Sequence, residues 1–262
     1  METFGYIAAI FIGVSLGLIG GGGSILTVPV LVYLFRIDAI IATTYSLFIV
    51  GLTSAFGSVS YFKNKLVNLK VALTFGVPSV ISVFMTRNYM LPLLPDQIMS
   101  IGNFLVTKNI LLMLLFAILM IMASWSMIAK GKTPESENST SINYTKVILQ
   151  GTLVGVVTGL VGAGGGFLII PALVKFLKLP IKSAIGTSLV IITLNSLLGF
   201  AGSMSNISID WSFLGTIAAI AIVGIFIGTY LSSKINGAKL KPAFGWFVLV
   251  MGIYILLKEI FL

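Results

Sequence analysis

The stretch GLIGGGGSILTVP, residues 17–29, sets four consecutive glycines, Gly20 to Gly23, inside one of the most apolar segments of a 262-residue chain. A glycine in a helix interior costs about 1 kcal/mol relative to alanine. A bilayer nevertheless demands helix from any segment that crosses it, and tolerates irregular backbone at depth only where protein buries it or a wet cavity adjoins it. The glycine run therefore reads as a break in a membrane helix. Composition supports the membrane setting. The chain is 58% hydrophobic and 9% charged, with a mean hydropathy of +1.13, whereas soluble domains carry about 25% charged residues. Most of its length falls in apolar runs long enough to span a bilayer. The first of these reads as a span and not as a cleavable signal peptide, since only Glu2 precedes it and no small-residue cleavage site follows.

Working outward from the glycines, the sequence matches itself at an offset of 142 residues. GVSLGLIGGGGSILTVPVLV (13–32) falls on GVVTGLVGAGGGFLIIPALV (155–174), and 18 of the 45 residues from Gly13 to Gly57 recur without a gap from Gly155 to Gly199. The chain thus divides into a first transmembrane repeat, 1–129, a polar linker, 130–143, and a second repeat, 144–262. Each repeat holds one glycine-split segment (4–35 and 144–178) followed by three plain spans: 39–62, 68–86 and 109–129, then 182–203, 211–233 and 242–261.

The basic residues choose the topology. If every segment crossed once, alternate loops would hold 7 and 9 Lys/Arg, with no bias. If each glycine-split segment instead returns to the side it entered from, 12 fall on one side, against Arg36, Arg87, Lys108 and Lys258 on the other. Basic residues collect in cytoplasmic loops, so the second arrangement is favoured. Length agrees, because a straight helix over 4–35 would be about 48 Å long against an apolar core of about 30 Å. The expected fold class is an all-α polytopic membrane protein of two inverted repeats. Each is a glycine-broken helical hairpin plus three transmembrane helices, with both termini outside and the linker in the cytoplasm. Whether the hairpins are re-entrant or two short spans is left open.

Where a helix restarts after such a break, its first N–H groups are unpaired and its dipole favours an anion. Glycine lets a ligand approach the backbone. The candidate substrate-binding residues are therefore Gly20, Gly21, Gly22, Gly23 and Ser24 in one repeat, and Gly162, Ala163, Gly164, Gly165 and Gly166 in the other. The following span supplies polar candidates at matching positions: Ser46 with Ser188, Ser54 with Ser196, Thr53 with Asn195, and Thr187. Gly13, Gly17, Gly151, Gly155 and Gly159 have the small-xxx-small spacing of helix-contact faces.

The chain contains no cysteine and no histidine. That excludes disulfides, thiolate and haem chemistry, the usual zinc sites and Ser-His-Asp catalysis. Its seven carboxylates, Asp38 and Asp210 among them, fall at span ends or in loops. No enzyme activity, metal or cofactor is called for, and the net charge of +9 reflects basic loops and not nucleic acid.

The doubled pattern G-h-h-G-x-G-G-G-x-h-h-h-P (17–29 and 159–171) resembles that of the TauE/SafE sulfite-exporter family, the TSUP permeases. Its companion A-x-G-T-S element is intact at 184–188 and reads ATTYS at 42–46, where Tyr45 narrows one side of the site. The resemblance covers essentially the whole chain. It implies a bacterial inner-membrane permease for small sulfur-containing anions such as sulfite, thiosulfate or sulfoacetate. Its partners would be a small anionic substrate and the lipid bilayer, with a homodimer as an option. Without an intramembrane carboxylate, export driven by the membrane potential is the expectation. An anion channel or an ion-coupled importer of the same anions is the alternative.

Overall fold

The computed structural model describes residues 2–101, 104–128, 144–204, 207–234 and 237–261. The linker 130–143 lies outside the described residues. The first half runs α1 (Glu2–Ile19), α2 (Gly22–Leu34), α3 (Ala39–Lys63), α4 (Leu69–Leu93), strands β1 (Gln97–Ile101) and β2 (Phe104–Thr107), and α5 (Lys108–Ile128). The second half runs α6 (Tyr144–Val161), α7 (Gly166–Phe176), α8 (Ile181–Ser203), α9 (Trp211–Lys234) and α10 (Gly237–Phe261). Among the described residues, α3, α4, α5, α8, α9 and α10 are long and apolar enough to cross a membrane, so this is an all-α polytopic membrane protein.

Side-chain caps start three of the long helices, each satisfying an amide that the helix cannot. Asp38 accepts from Ile40 N at 2.9 Å to open α3, Asn68 from Val71 N at 3.1 Å to open α4, and Asp210 from Phe213 N at 3.0 Å to open α9. The interval that interrupts the first glycine-split segment reverses the chain. In the first half, Gly23 lies against Ile12, Ser15 and Leu16, while the ring of Phe35 lies against Gly5, so α2 folds back along α1.

Glycine faces set the close helix pairs, and they fix direction. Gly13 abuts Ala221 and Ile225, and Gly17 abuts Ile225 and Thr229, so α1 and α9 run parallel. Gly151 meets Phe75, Gly155 meets Ser79 and Gly159 meets Thr86, so α6 and α4 do the same. Without side chains at these positions the backbones approach closely enough for dispersion contacts to hold helices together in lipid. By contrast, Gly51 meets Ser196 and Leu197 while Gly199 meets Leu47, so α3 and α8 are antiparallel. Gly245 meets Met127 and Gly252 meets Met120, so α5 and α10 are antiparallel as well. Thus α3 and α8, which correspond at the 142-residue offset, point in opposite directions, as do α5 and α10.

Two departures from the sequence reading stand out. The span expected to end at residue 86 continues to Leu93. A π turn, Thr86–Met90, carries it past Arg87 and Asn88, and the apolar run then resumes. Arg87, assigned above to an outer loop, therefore lies within a span. Second, residues 97–107 form an antiparallel hairpin, with Ser100 opposite Leu105, where no strand was expected. The segment is too short for another span, and pairing satisfies its own backbone.

Candidate functional site

The two glycine breaks meet at the centre of the molecule. Residues 20–29 and 161–167 are all buried. Gly20 (φ 85°) and Gly162 (φ 72°) take the left-handed conformation at matching positions, followed in the second break by Gly164 (φ 66°) and Gly165 (φ 72°). The backbones of Gly21 and Gly166 touch: a Cβ on either would fall about 2.5 Å from main-chain atoms of the other. The starts of α2 and α7 are thereby brought side by side. The restart falls at Gly22 as a tight 3-10 turn (Gly22–Leu26) and at Gly166.

Chemically, the two breaks differ. Around the first, the serines are already spent, while Thr27 Oγ1 is buried without a partner. Ser24 Oγ donates to Gly21 O at 2.8 Å, and Ser15 Oγ donates to Ile12 O at 2.9 Å. The other neighbours are Ile185 and Ile170 at Gly20, and Ile19 and Phe244 at Gly22. Around the second, Arg87 and Thr43 lie at Gly162, Ser196 Oγ at Gly164 and Thr158 Oγ1 at Gly165. Arg87 Nε and Nη2, Ser196 Oγ and Thr158 Oγ1 are buried and have no hydrogen-bond partner. Burying such groups unsatisfied costs about 1–3 kcal/mol each, and more for a charge.

Arg87 is the residue that sequence reasoning missed. It is 1% exposed, the largest of the fully buried side chains. Its Nη1 donates to Thr43 Oγ1 at 3.1 Å and Thr44 Oγ1 at 3.4 Å. Among the described residues no carboxylate pairs with it. A signal was available: the apolar run resumes at Tyr89 after Arg87 and Asn88, so the arginine interrupts a span and does not end one.

The polar candidates of α3 and α8 divide in the same way. Thr53 donates to Ile49 O at 2.6 Å and Ser188 to Ile185 O at 2.8 Å, so both hydroxyls bond their own helix. Thr187 Oγ1 accepts from Asn68 N at 3.0 Å and so tethers the start of α4. Asn195 Nδ2 donates to Ser79 Oγ at 2.8 Å across the α8–α4 contact. Ser46, Ser54 and Ser196 are fully buried with their hydroxyls unpartnered. The structure thus brings Ser196 to the second break, while Thr187 and Asn195 serve helix-to-helix contacts.

The two ends of the bundle differ as well. Near the start of α3, Tyr6, Phe35, Phe213 and Tyr45 form a chain of ring contacts with centroids 5.0–6.2 Å apart, beside a second cluster of Phe48, Phe200 and Trp211. Tyr45 OH also accepts from Asp210 N at 2.8 Å, tying α3 to α9. At the opposite end, a pocket of about 370 Å³ opens between Lys65, Leu66, Asn68 and Ser183.

The family described as "Sulfite exporter TauE/SafE" matches residues 6–255, and so includes both breaks. The chain belongs to this family. It is similar to a "Probable membrane transporter protein" of Xylella fastidiosa, 27% identical over 95% of this chain and 92% of that one. It is also similar to the "Probable membrane transporter protein YunE" of Bacillus subtilis, 28% identical over 84% of this chain and 82% of that one. No solved structure matches the chain. The protein is a multi-pass membrane transporter of the TauE/SafE family, and the family consists of permeases and not enzymes.

Proposed function

We propose that this transporter exports small sulfur oxyanions or organosulfonates, of the sulfite, thiosulfate and sulfoacetate class, through a site at the meeting of its two glycine breaks. The observation that carries the reading is the contact of Gly21 with Gly166, two irregular segments buried in the middle of a membrane protein. Interrupted helices meeting at mid-depth are the recurrent substrate sites of secondary transporters. The candidate residues are those of the breaks, with Ser196 beside the second. Of the other polar candidates, Ser46 and Ser54 keep unpartnered hydroxyls, while Ser188, Thr53, Thr187 and Asn195 are engaged in the hydrogen bonds given above.

The two halves stand inverted in the plasma membrane of a bacterium, with both termini outside. The antiparallel courses of α3 with α8 and of α5 with α10 support this. So does the lysine distribution, which sharpens to 12 against Arg36, Lys108 and Lys258 once Arg87 is placed inside a span. Export needs no coupling ion, because a negative-inside potential drives each negative charge outward with about 2.3 kcal/mol per 100 mV. The test is flux of labelled sulfite or sulfoacetate in proteoliposomes under imposed voltage. Efflux should rise with inside-negative potential. Flux indifferent to voltage but driven by a Na⁺ or proton gradient would instead identify an ion-coupled importer.

A further inference from the structure

We propose that Arg87 is the fixed counter-charge of the transported anion and grips an oxyanion through its Nε–Nη2 edge against the Gly162–Gly166 turn. This rests on the anion-export reading and adds to it a residue and a ligand geometry. A guanidinium is a planar fork that holds two oxygens of one anion along a single edge. In Arg87, Nη1 is occupied by the hydroxyls of Thr43 and Thr44. Those hydroxyls donate their own protons to Ile40 O, at 2.8 Å and 3.1 Å, so their oxygens are left to accept from the arginine. The fork is thereby held in one orientation before any ligand arrives. The nitrogens left without partners, Nε and Nη2, share an edge. Two donors side by side match an O–X–O group, as in sulfite, a sulfonate or a carboxylate. A halide is a single sphere and lacks the second oxygen.

The surroundings fit a ligand better than a strut. A strut would have its donors satisfied, whereas here half of the fork is buried and unsatisfied with no carboxylate against it. Ionisable groups inside a membrane are expensive and mark functional pathways. Nη2 lies against Gly162, where a Cβ would come within 2.5 Å of it, so only glycine leaves that nitrogen free of a side chain pressed against it. Ser196 Oγ, also unpartnered, faces Gly164 two residues along the same turn. The first break has one unpartnered hydroxyl, Thr27 Oγ1, but among the described residues no charged group lies against its glycines. The residues at the 142-residue offset from Arg87, Thr43 and Thr44 are Thr229, Ile185 and Gly186, and Ile185 meets Gly20 as Thr43 meets Gly162. The structure thus assigns one charged site per chain, at the second break.

The experiment compares thermal unfolding of the detergent-purified full chain in methanesulfonate, sulfite and acetate against chloride at matched ionic strength, with proteoliposome flux alongside. The oxyanions should raise the wild-type melting point above its value in chloride. Arg87→Gln should melt no lower than wild type without ligand, since it removes an unpaired buried charge, and should lose the oxyanion shift and the flux. Arg87→Lys keeps the charge without the edge, so its preference for oxyanion over chloride should fall about ten- to a hundredfold. Ser196→Ala removes one oxygen from a packed helix and should weaken oxyanion binding several-fold. If Arg87→Gln melts lower than wild type yet keeps the oxyanion shift, Arg87 is a strut between α3 and α4, and the anion-export reading survives without it. If Arg87→Gln does not fold, unchanged oxyanion preference in Arg87→Lys and Ser196→Ala overturns the proposal. If wild type itself shows neither shift nor flux with any oxyanion, the export reading fails.

Discussion

Replacing Gly166 by alanine tests whether the two breaks meet. A Cβ at Gly166 would fall 2.5 Å from Gly21 Cα and 2.7 Å from its carbonyl oxygen, and one at Gly21 would fall 2.5 Å from the carbonyl group of Gly166. Carbon contacts are comfortable at about 3.5–4.0 Å, so a single methyl must part the breaks by about 1 Å. The obstructing atoms are backbone and cannot rotate aside. Overpacking of this kind costs about 1–3 kcal/mol. At about 2–4 °C per kcal/mol for a chain of this size, the melting point of Gly166→Ala should drop by about 2–12 °C. Gly21→Ala should behave alike. The double variant should cost less than the sum, because a gap opened for one methyl already admits the second. Four proteins, melted in detergent and assayed for flux, complete the cycle. A wild-type melting point for Gly166→Ala, or strictly additive losses, would refute the contact on which the proposed site rests.

Other glycines should respond in the opposite direction. At Gly76 in α4 an added Cβ meets only the Ile191 side chain, Cγ1 at 3.5 Å and Cγ2 at 3.9 Å, and at Gly215 in α9 it meets nothing within 4 Å. Gly76→Ala and Gly215→Ala should each gain about 0.5–1 kcal/mol of helix stability, read as a raised melting point. Asn195→Ala leaves the buried Ser79 hydroxyl without its partner, and should cost about 1–3 kcal/mol, an effect largely absent when Ser79→Ala is already present. Tyr45→Phe removes the acceptor of the Asp210 amide, so exchange of that amide should quicken while the melting point falls by about 0.5–1.5 kcal/mol equivalent.

Much of the architecture was legible because a bilayer reduces the choices. The spans expected at 39–62, 182–203 and 211–233 appear as Ala39–Lys63, Ile181–Ser203 and Trp211–Lys234, since apolar length and polar caps decide where a membrane helix starts and stops. The hairpin of α1 and α2 was legible from its glycines, which no single helix would carry. The end of α4 was not. Proximity of Arg87 and Asn88 to an apolar boundary looks the same in sequence whether the arginine faces water or the protein interior. The β1–β2 hairpin was hidden too, because short alternation carries little weight beside long apolar runs.

By itself, then, the sequence determined the membrane class, the doubled unit and the position of both helix breaks. These follow from composition, from self-similarity and from the backbone freedom of glycine, all of which are local or periodic properties. Only the tertiary structure decided that Gly21 rests on Gly166 and that the two breaks are chemically unequal. Self-similarity made the repeats look interchangeable, with a serine and a glycine turn in each. Their environments come from helices distant in sequence, and there Arg87, Thr43 and Ser196 surround one turn while Ile185, Ile170 and Phe244 surround the other. Whether a buried side chain finds a partner depends on which helices are packed against it, and that pairing is a long-range property that no window of sequence contains.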